Sequence, residues 1–161
     1  MLLPTIRSMS QLVPDGLYMI DKSPAGFQGN ACMATSFPPG STRLCTSSAG
    51  EAGEEMIKWE VKFDSSQQAY SFRNPATGHF VSFDDEPETN TQLYGRETPR
   101  FFTLTPSSEG VDRIQIRAKD SDADIDNSPL MMYPPLLTLQ AADSPFTGGT
   151  RADWQFIPTT M

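Results

Sequence analysis

An alternating apolar pattern occurs three times in this chain, and it constrains the fold more than any other feature. The three segments are KWEVKFD at 58–64, RFFTLTP at 100–106 and RADWQFIP at 151–158. Each contains a large aromatic residue, at Trp59, Phe102 and Trp154, followed by further apolar residues at every second position. Such alternation predicts a strand with one buried face. Because the three aromatic residues are about 40–50 positions apart, the sequence predicts a threefold internal repeat.

Short strand patterns fill the intervals between these segments. Runs of apolar and β-branched residues, bounded by Gly, Pro, Asp and Ser, predict strands at 16–21, 31–37, 43–47, 56–64, 69–74, 79–85, 91–95, 100–106, 113–119, 129–134, 136–140 and 153–158. No stretch of about a dozen residues keeps a helical apolar spacing without an interrupting Gly or Pro. The chain is therefore expected to be all-β.

Twelve strands in three groups of four are typical of a β-trefoil. In this fold six strands close a short barrel and three hairpins cover one end, which removes exposed sheet edges. The core needs one large residue per repeat at equivalent positions, and Trp59, Phe102 and Trp154 meet that need. The segment at 151–158 is then the closing strand of the barrel. A β-sandwich and a lipocalin-like barrel are the competing folds, but neither accounts for three groups.

The composition indicates one domain and disfavours several partners. The 161 residues suffice for one core. Residues 13–161 are expected to form it, with 1–12 as an N-terminal segment that need not be ordered. The formal net charge of −8 disfavours nucleic acid and anionic membranes. The start MLLPTIRSMSQLVP has no long apolar centre, so we predict no secretion signal and expect a cytoplasmic monomer.

Patterns for catalysis and metal binding are scarce. His79, the single histidine, follows a turn and has no nucleophile motif nearby, so it is interpreted as a solvated turn residue. The stretch DSDADIDNS at 120–128 begins like a calcium loop but has Ile125 where glycine is needed. It is interpreted as a solvated acidic loop. We therefore expect no enzyme activity, no metal site and no cofactor. Cys32 and Cys45 are predicted to be reduced, partly buried thiols, with a cross-strand disulfide as the alternative.

Two loops are candidates for binding, because irregular loops on a rigid barrel suit a binding protein. In the loop DKSPAGFQGN at 21–30, Phe27 lies between Gly26 and Gly29. Its side chain either enters a cleft of a partner or folds back onto the barrel, and the sequence leaves both alternatives open. The loop TSSAGEAGEE at 46–55 is predicted to be a small, flexible hairpin end.

The opening DGLY at 15–18, the acidity and the ending ADWQFIP resemble the fungal β-trefoil protease inhibitors, namely the mycocypins, cocaprins and mycospins. The resemblance implies that two loops block the active-site cleft of a protease, first of all a papain-like cysteine protease. The residues implied are Gly26, Phe27, Gln28, Gly29, Asn30, Ala49, Gly50 and Glu51. It further implies Asn74 as a contact for legumain-type proteases and Arg43 for serine proteases. Cocaprin-like members also inhibit aspartic proteases.

Carbohydrate binding is the alternative function, because many fungal β-trefoils are lectins. Ricin-type members carry Gln-x-Trp in each repeat, whereas the matching triplets here are IKW at 57–59, RFF at 100–102 and ADW at 152–154. The absence of the motif disfavours a ricin-type site but leaves other trefoil lectins open. A lectin is expected to show a shallow polar pocket with an aromatic platform such as Tyr94 or Tyr133.

Overall fold

The structure, a computed structural model, describes residues 11–23, 27–35, 42–107, 112–130, 134–141 and 153–160. These ranges contain twelve strands: β1 Gly16–Asp21, β2 Cys32–Ala34, β3 Cys45–Ser47, β4 Lys58–Asp64, β5 Ala69–Arg73, β6 Phe80–Ser82, β7 Tyr94–Arg96, β8 Phe102–Pro106, β9 Ile114–Ala118, β10 Ala123–Asn127, β11 Leu137–Ala141 and β12 Gln155–Pro158. A single helical turn, α1 at Ala49–Ala52, and a 3-10 helix at Glu54–Ile57 connect β3 to β4. No helix in the described ranges is long and apolar enough to cross a membrane.

Six of the strands close a barrel. β1 pairs with β4, β4 with β5, β5 with β8 and β8 with β9, all antiparallel, and β12 pairs with β1. The last gap closes where Ile114 faces Trp154, since each backbone N–H donates to the other residue's carbonyl, at 2.8 and 2.7 Å. The remaining strands form the hairpins β2–β3, β6–β7 and β10–β11. The predicted β-trefoil, closed by its last strand, is confirmed.

Three leucines join the hairpins around the pseudo-threefold axis, and we call them the axial leucines. The Leu44 N–H donates to the Leu93 carbonyl at 3.0 Å, that of Leu93 to Leu137 at 3.1 Å, and that of Leu137 to Leu44 at 2.9 Å. All three side chains are fully buried in the main core. Because buried backbone groups must be paired, this ring of hydrogen bonds fixes the three hairpins against one another.

The three aromatic residues that predict the repeat lie at equivalent core positions. Trp59, Phe102 and Trp154 are 1%, 0% and 0% exposed. The Trp59 indole N–H donates to the Met33 carbonyl of β2 at 2.8 Å, and the Trp154 indole N–H donates to the Ile125 carbonyl of β10 at 3.1 Å. Each tryptophan therefore ties the barrel to the hairpin of its own repeat, which satisfies its polar group inside an apolar core.

The tenth strand lies elsewhere than the sequence predicts. It spans Ala123–Asn127, within the stretch interpreted as a solvated acidic loop. Of the strand predicted at 129–134, residues 131–133 lie outside the described residues. Asp124 is 2% exposed and accepts from Arg117 Nε at 3.0 Å, while Asp126 pairs with Lys22 at 3.0 Å. The carboxylates are neutralised by these cations, so a strand can carry them where an acidic pattern alone indicates a loop.

Candidate functional site

The loop between β6 and β7 forms a cleft on the outer face of the second hairpin. Its volume is about 420 Å³. Its lining combines four carboxylates with one aromatic ring and two neutral polar side chains: Asp84, Asp85, Glu86, Glu88, Tyr94, Thr91 and Gln92. We call this the Tyr94 cleft. The cleft therefore offers a ligand one aromatic packing surface and several hydrogen-bond acceptors.

Tyr94 faces the cleft because strand alternation turns it away from the core. The axial Leu93 points inward and is fully buried, so the next residue along the strand points outward. The Arg96 guanidinium lies 4.1 Å from the centroid of the Tyr94 ring, and Arg96 does not line the cleft. Cation–π attraction to the guanidinium therefore restrains the ring, and the ring lines the cleft.

Hydrogen bonds fix the loop that carries the carboxylates. Arg100 donates to the carbonyls of Phe83 and Asp85, at 2.9 and 3.1 Å, and its guanidinium lies 3.7 Å from the centroid of the Phe83 ring. At the other end of the loop, Thr91 Oγ1 accepts from the backbone N–H of Glu88 at 3.1 Å. A loop held in this way loses little further conformational entropy when a ligand binds.

The charge of the cleft is negative. Asp84 accepts from Arg96 at 3.1 Å in a half-exposed ion pair. Within the described ranges no Lys or Arg forms an ion pair with Asp85, Glu86 or Glu88. Ionised carboxylates only accept hydrogen bonds, so the cleft suits a ligand rich in O–H or N–H donors. No group of three metal-ligating side chains gathers among the residues that the structure describes.

The predicted protease-binding loop after β1 is held by two buried side chains. Asp21 accepts from the backbone N–H groups of Ser23 and Gly29, at 3.1 and 2.9 Å. The Ser23 hydroxyl donates to Asp21 at 2.6 Å and accepts from the Ala31 N–H at 2.9 Å. Phe27 is 62% exposed, so of its two alternatives it does not fold back onto the barrel. Phe27 is therefore an exposed aromatic ring close to the backbone positions that Asp21 and Ser23 hold, whereas residues 24–26 lie outside the described residues.

The other residues predicted in this loop are placed as follows. Gln28 and Asn30 are exposed, and Gln28 Nε2 donates to the Gln155 side chain at 2.7 Å. Gly29 has a φ of +91°, in the left-handed region that favours glycine, which is why the chain turns there. Gly26 lies outside the described residues.

The second predicted loop is a helical turn and not a flexible hairpin end. Its residues Ala49, Gly50 and Glu51 belong to α1 and are exposed. Ser48 is the N-cap of this helical turn, because its hydroxyl accepts from the Glu51 N–H at 3.3 Å. In the first hairpin Cys32 lies opposite Ser47. This register places α1 and the loop after β1 at the same end of the hairpin, as the resemblance to the inhibitors implies.

Asn74 does not lie on the protein surface. Its side chain is fully buried; Nδ2 donates to the carbonyls of Glu55 and Lys58, each at 3.1 Å, and Oδ1 accepts from the Thr77 N–H at 3.0 Å. These bonds shape the turn after β5 and dock it on the 3-10 helix, so a protease can contact this side chain only if the turn opens.

Arg43, the residue implied for serine proteases, is exposed and lies at the end of the barrel that the three hairpins cover. It forms an isolated antiparallel bridge with Tyr94, which places it beside the Tyr94 cleft. The structure therefore brings Arg43 next to the aromatic residue suggested for a lectin site.

Cys32 and Cys45 form no disulfide, and both are buried, which agrees with the prediction of reduced thiols. Cys32 lies opposite Ser47, and Cys45 lies opposite Ala34, so the thiols are not a directly opposed pair. Burial raises the pKa of the Cys32 thiol to about 12, and the Asp21 carboxylate adds to the rise through its charge and a hydrogen bond. Because the thiolate is the nucleophile, Cys32 is unreactive at neutral pH.

Solved structures that match this chain include fungal lectins. The ricin B-like lectin of Macrolepiota procera, solved in complex with lactose, matches with a TM-score of 0.72 and 12% identity over 92% of this chain and 99% of that chain. The Rhizoctonia solani agglutinin gives 0.66 and 15%, over 92% and 99%. The Polyporus squamosus lectin gives 0.68 and 16%, over 91% and 50%. At such identities the likeness shows the fold alone. No protein-family model and no curated protein sequence matches the chain.

Of the two aromatic platforms that the sequence suggests, Tyr133 lies outside the described residues, and Tyr94 lines the cleft. The sequence does not predict the other residues of the cleft. The stretch SFDDEPETNTQLYG contains four carboxylates shortly before an outward-facing aromatic residue, and that density is the one signal available. Their convergence depends on left-handed turns at Asp85 and Asn90, with φ of +60° and +73°, and composition does not predict where such turns occur.

Proposed function

We propose that this protein binds carbohydrate in the Tyr94 cleft and leaves it chemically unchanged. The observation that carries the proposal is the Tyr94 ring, which Arg96 holds by a cation–π contact and which lines a cleft rich in polar groups. One face of a pyranose ring is made of C–H groups, which pack on the negative face of an aromatic ring. The hydroxyl groups around its edge donate to the carboxylates.

The fold supports the same class of function. The Macrolepiota procera lectin has this fold and was solved with lactose, and two further lectins share the fold. These proteins give no residue correspondence at their level of identity, so the placement of the site in this chain rests on its own cleft.

Only the second repeat carries an aromatic side chain at this register position. The residues that follow the axial leucines are Cys45, Tyr94 and Thr138, and both Cys45 and Thr138 are buried. We therefore propose one binding site per chain. A monovalent protein is expected to bind glycans without cross-linking them, so it should not agglutinate cells that carry its ligand.

The test is a panel of neutral and charged glycans, including lactose, followed by calorimetry on the glycans that bind. We expect Tyr94→Ala to weaken binding at least tenfold, because the packing surface for the sugar ring is lost. Phe27→Ala is the matched control: it removes an exposed aromatic residue from another loop, and its affinity should equal that of the parent chain. Absence of any bound glycan with the folded protein would reject the proposal, as would equal affinities of the Tyr94→Ala and parent chains.

Protease inhibition is the second candidate function, and one observation favours it. Phe27 is 62% exposed, and Asp21 and Ser23 hold the backbone at Gly29 and Ala31, shortly after it. An exposed aromatic residue next to restrained backbone can insert into a cleft at a low entropic cost. We propose papain-like cysteine proteases as the targets, since α1 lies at the same end of the hairpin as Phe27.

Residual papain activity against a dilution series tests this second candidate. If it holds, Phe27→Ala and Ala49→Arg each weaken inhibition at least tenfold, because one removes the inserted ring and the other places a bulky cation on the docking face. Tyr94→Ala serves as the control and should inhibit like the parent chain. If the folded parent chain leaves papain fully active, this candidate is rejected, whatever the glycan panel shows.

A further inference from the structure

A second cleft lies beside the Tyr94 cleft, at the end of the barrel that the three hairpins cover. Its volume is about 400 Å³ and it is lined by three apolar and four neutral polar residues: Pro129, Leu130, Leu136, Asn90, Gln92, Ser128 and Thr138. No charged side chain belongs to this lining, whereas four carboxylates line the neighbouring cleft. The two clefts are similar in size and opposite in chemical character.

Leu130 gives the second cleft an apolar surface open to solvent. It is 66% exposed, more than any other large apolar side chain in the described ranges. The preceding residue is Pro129, and the Leu130 N–H donates to the Ser128 hydroxyl at 3.1 Å, so the backbone at this point is restrained. A ligand that covers such a side chain removes apolar surface from water, which favours binding.

Gln92 joins the two clefts, since it lines both. Its Nε2 donates to the carbonyls of Leu93 and Leu137, at 2.9 and 2.8 Å. Both amide hydrogens are thereby used, and they orient the side chain. No donor within the described residues bonds Oε1, and no buried side-chain oxygen there lacks a partner, so this oxygen faces solvent. A fixed acceptor therefore stands at the junction of an acidic cleft and an apolar one.

We propose that the ligand is a glycoside with an apolar aglycone, which rests on the carbohydrate function proposed above. The sugar packs on Tyr94, with its hydroxyl groups toward the carboxylates. A hydroxyl near the glycosidic bond donates to Gln92 Oε1, and an alkyl chain covers Leu130, Pro129 and Leu136. The arrangement matches an amphiphile because hydrogen-bond acceptors and apolar surface lie on opposite sides of one fixed polar residue.

The test compares methyl and octyl β-galactosides, and methyl and octyl β-glucosides, by calorimetry below the micelle concentration. We expect the octyl form of the sugar that binds to have at least tenfold higher affinity than its methyl form. Leu130→Ser should reduce the octyl affinity to the methyl level and leave the methyl affinity unchanged. Tyr94→Ala should weaken both. Phe27→Ala, the exposed apolar residue outside both clefts, should change neither.

The outcomes separate this inference from the function on which it rests. Equal affinities of methyl and octyl forms would overturn the inference while the carbohydrate function stands. So would an octyl gain that persists in Leu130→Ser, or an octyl affinity that survives Tyr94→Ala, since either places the alkyl chain elsewhere. A higher affinity for an N-acetylated disaccharide than for the octyl glycosides would show that a second sugar occupies the apolar cleft, which also overturns it. If no glycoside and no panel glycan binds, the carbohydrate function itself fails.

Discussion

The first and second hairpins are both antiparallel pairs of strands, but their outward-facing residues differ in burial. After the axial leucine the first hairpin has Cys45, which is buried in a small cluster with Ile57 of the 3-10 helix. The second has Tyr94, which is half-buried at the wall of a cleft. The connection from β3 to β4 contains helices that cover the hairpin, whereas the described connection from β7 to β8 contains none. The repeat demands only the inward leucine, so the outward position is free to acquire a site.

The largest change in stability is expected from the inward-facing residue Leu93. Leu93→Ala should lower the free energy of unfolding by about 2–5 kcal/mol, because it leaves a cavity where three repeats meet. Tyr94→Ala, one residue further on, should change it by less than about 1 kcal/mol. Urea unfolding followed by tryptophan fluorescence measures both. A loss at Tyr94 as large as that at Leu93 would mean that the ring belongs to the core and not to a site.

Exchanging the outward-facing residues Cys45 and Tyr94 tests whether their surroundings differ as the structure indicates. Cys45→Tyr should lower the free energy of unfolding by about 1–3 kcal/mol, because a fully buried position has no room for a phenol ring. Tyr94→Cys should cost less than about 1 kcal/mol, since the cleft opens to solvent. The same unfolding assay compares the two variants. Equal losses would show that the 3-10 helix is not what distinguishes the hairpins.

Much of the fold could be predicted from the sequence because its strongest signal is physical alternation. Trp59, Phe102 and Trp154 mark the repeat since a barrel strand buries every second residue, and all three are core residues. The sequence does not predict the tenth strand where it lies, because Asp124 interrupts the apolar pattern and its partner Arg117 lies on the neighbouring strand β9. An ion pair between strands leaves no local trace.

The site was less predictable because it depends on contacts between distant repeats. Tyr94 could be suggested as a platform, but its neighbour Arg43 reaches it only through the bridge between the first and second hairpins. Gln92 is oriented by the Leu137 carbonyl of the third repeat. Asn74 is the reverse case: Asn–Pro in a turn suggests an exposed residue, yet its amide is used to dock the turn on Glu55.

The buried thiol of Cys32 in the first hairpin predicts that the stability of the protein depends on alkaline pH. The pKa of Cys32 is raised from about 9 to about 12, so between these values the unfolded chain has lost a proton that the folded chain keeps. The free energy of unfolding should therefore fall as pH rises, by about 1 kcal/mol per pH unit from this thiol. Buried Tyr70, whose pKa is also raised, adds to the fall above pH 10. Unfolding measured from pH 9 to pH 11 checks the slope. Cys32→Ala should flatten it, and an unchanged slope would assign it to other groups.

The smallest expected effect concerns how the ring of the second hairpin is held. Arg96→Ala should lower the free energy of unfolding by about 0.5–1 kcal/mol, because it removes a cation–π contact and a half-exposed ion pair. Arg73→Ala is a matched control: Arg73 has similar exposure and pairs with Glu60 at 3.7 Å, so it should report the ion pair alone.

The difference between the two arginine variants gives the value of the contact with the ring together with that of the Arg96 hydrogen bond to Thr42 Oγ1 at 3.4 Å, and a double-mutant cycle isolates the ring. In a chain that already carries Tyr94→Ala, Arg96→Ala should cost less than it does in the parent chain, because no ring remains to be held. A loss as large as that in the parent chain would assign Arg96 to the loop through Asp84 and not to Tyr94. Arg96→Ala should also weaken glycan binding several-fold while Arg73→Ala does not, since a ring that is free to rotate must be ordered again when the sugar packs on it.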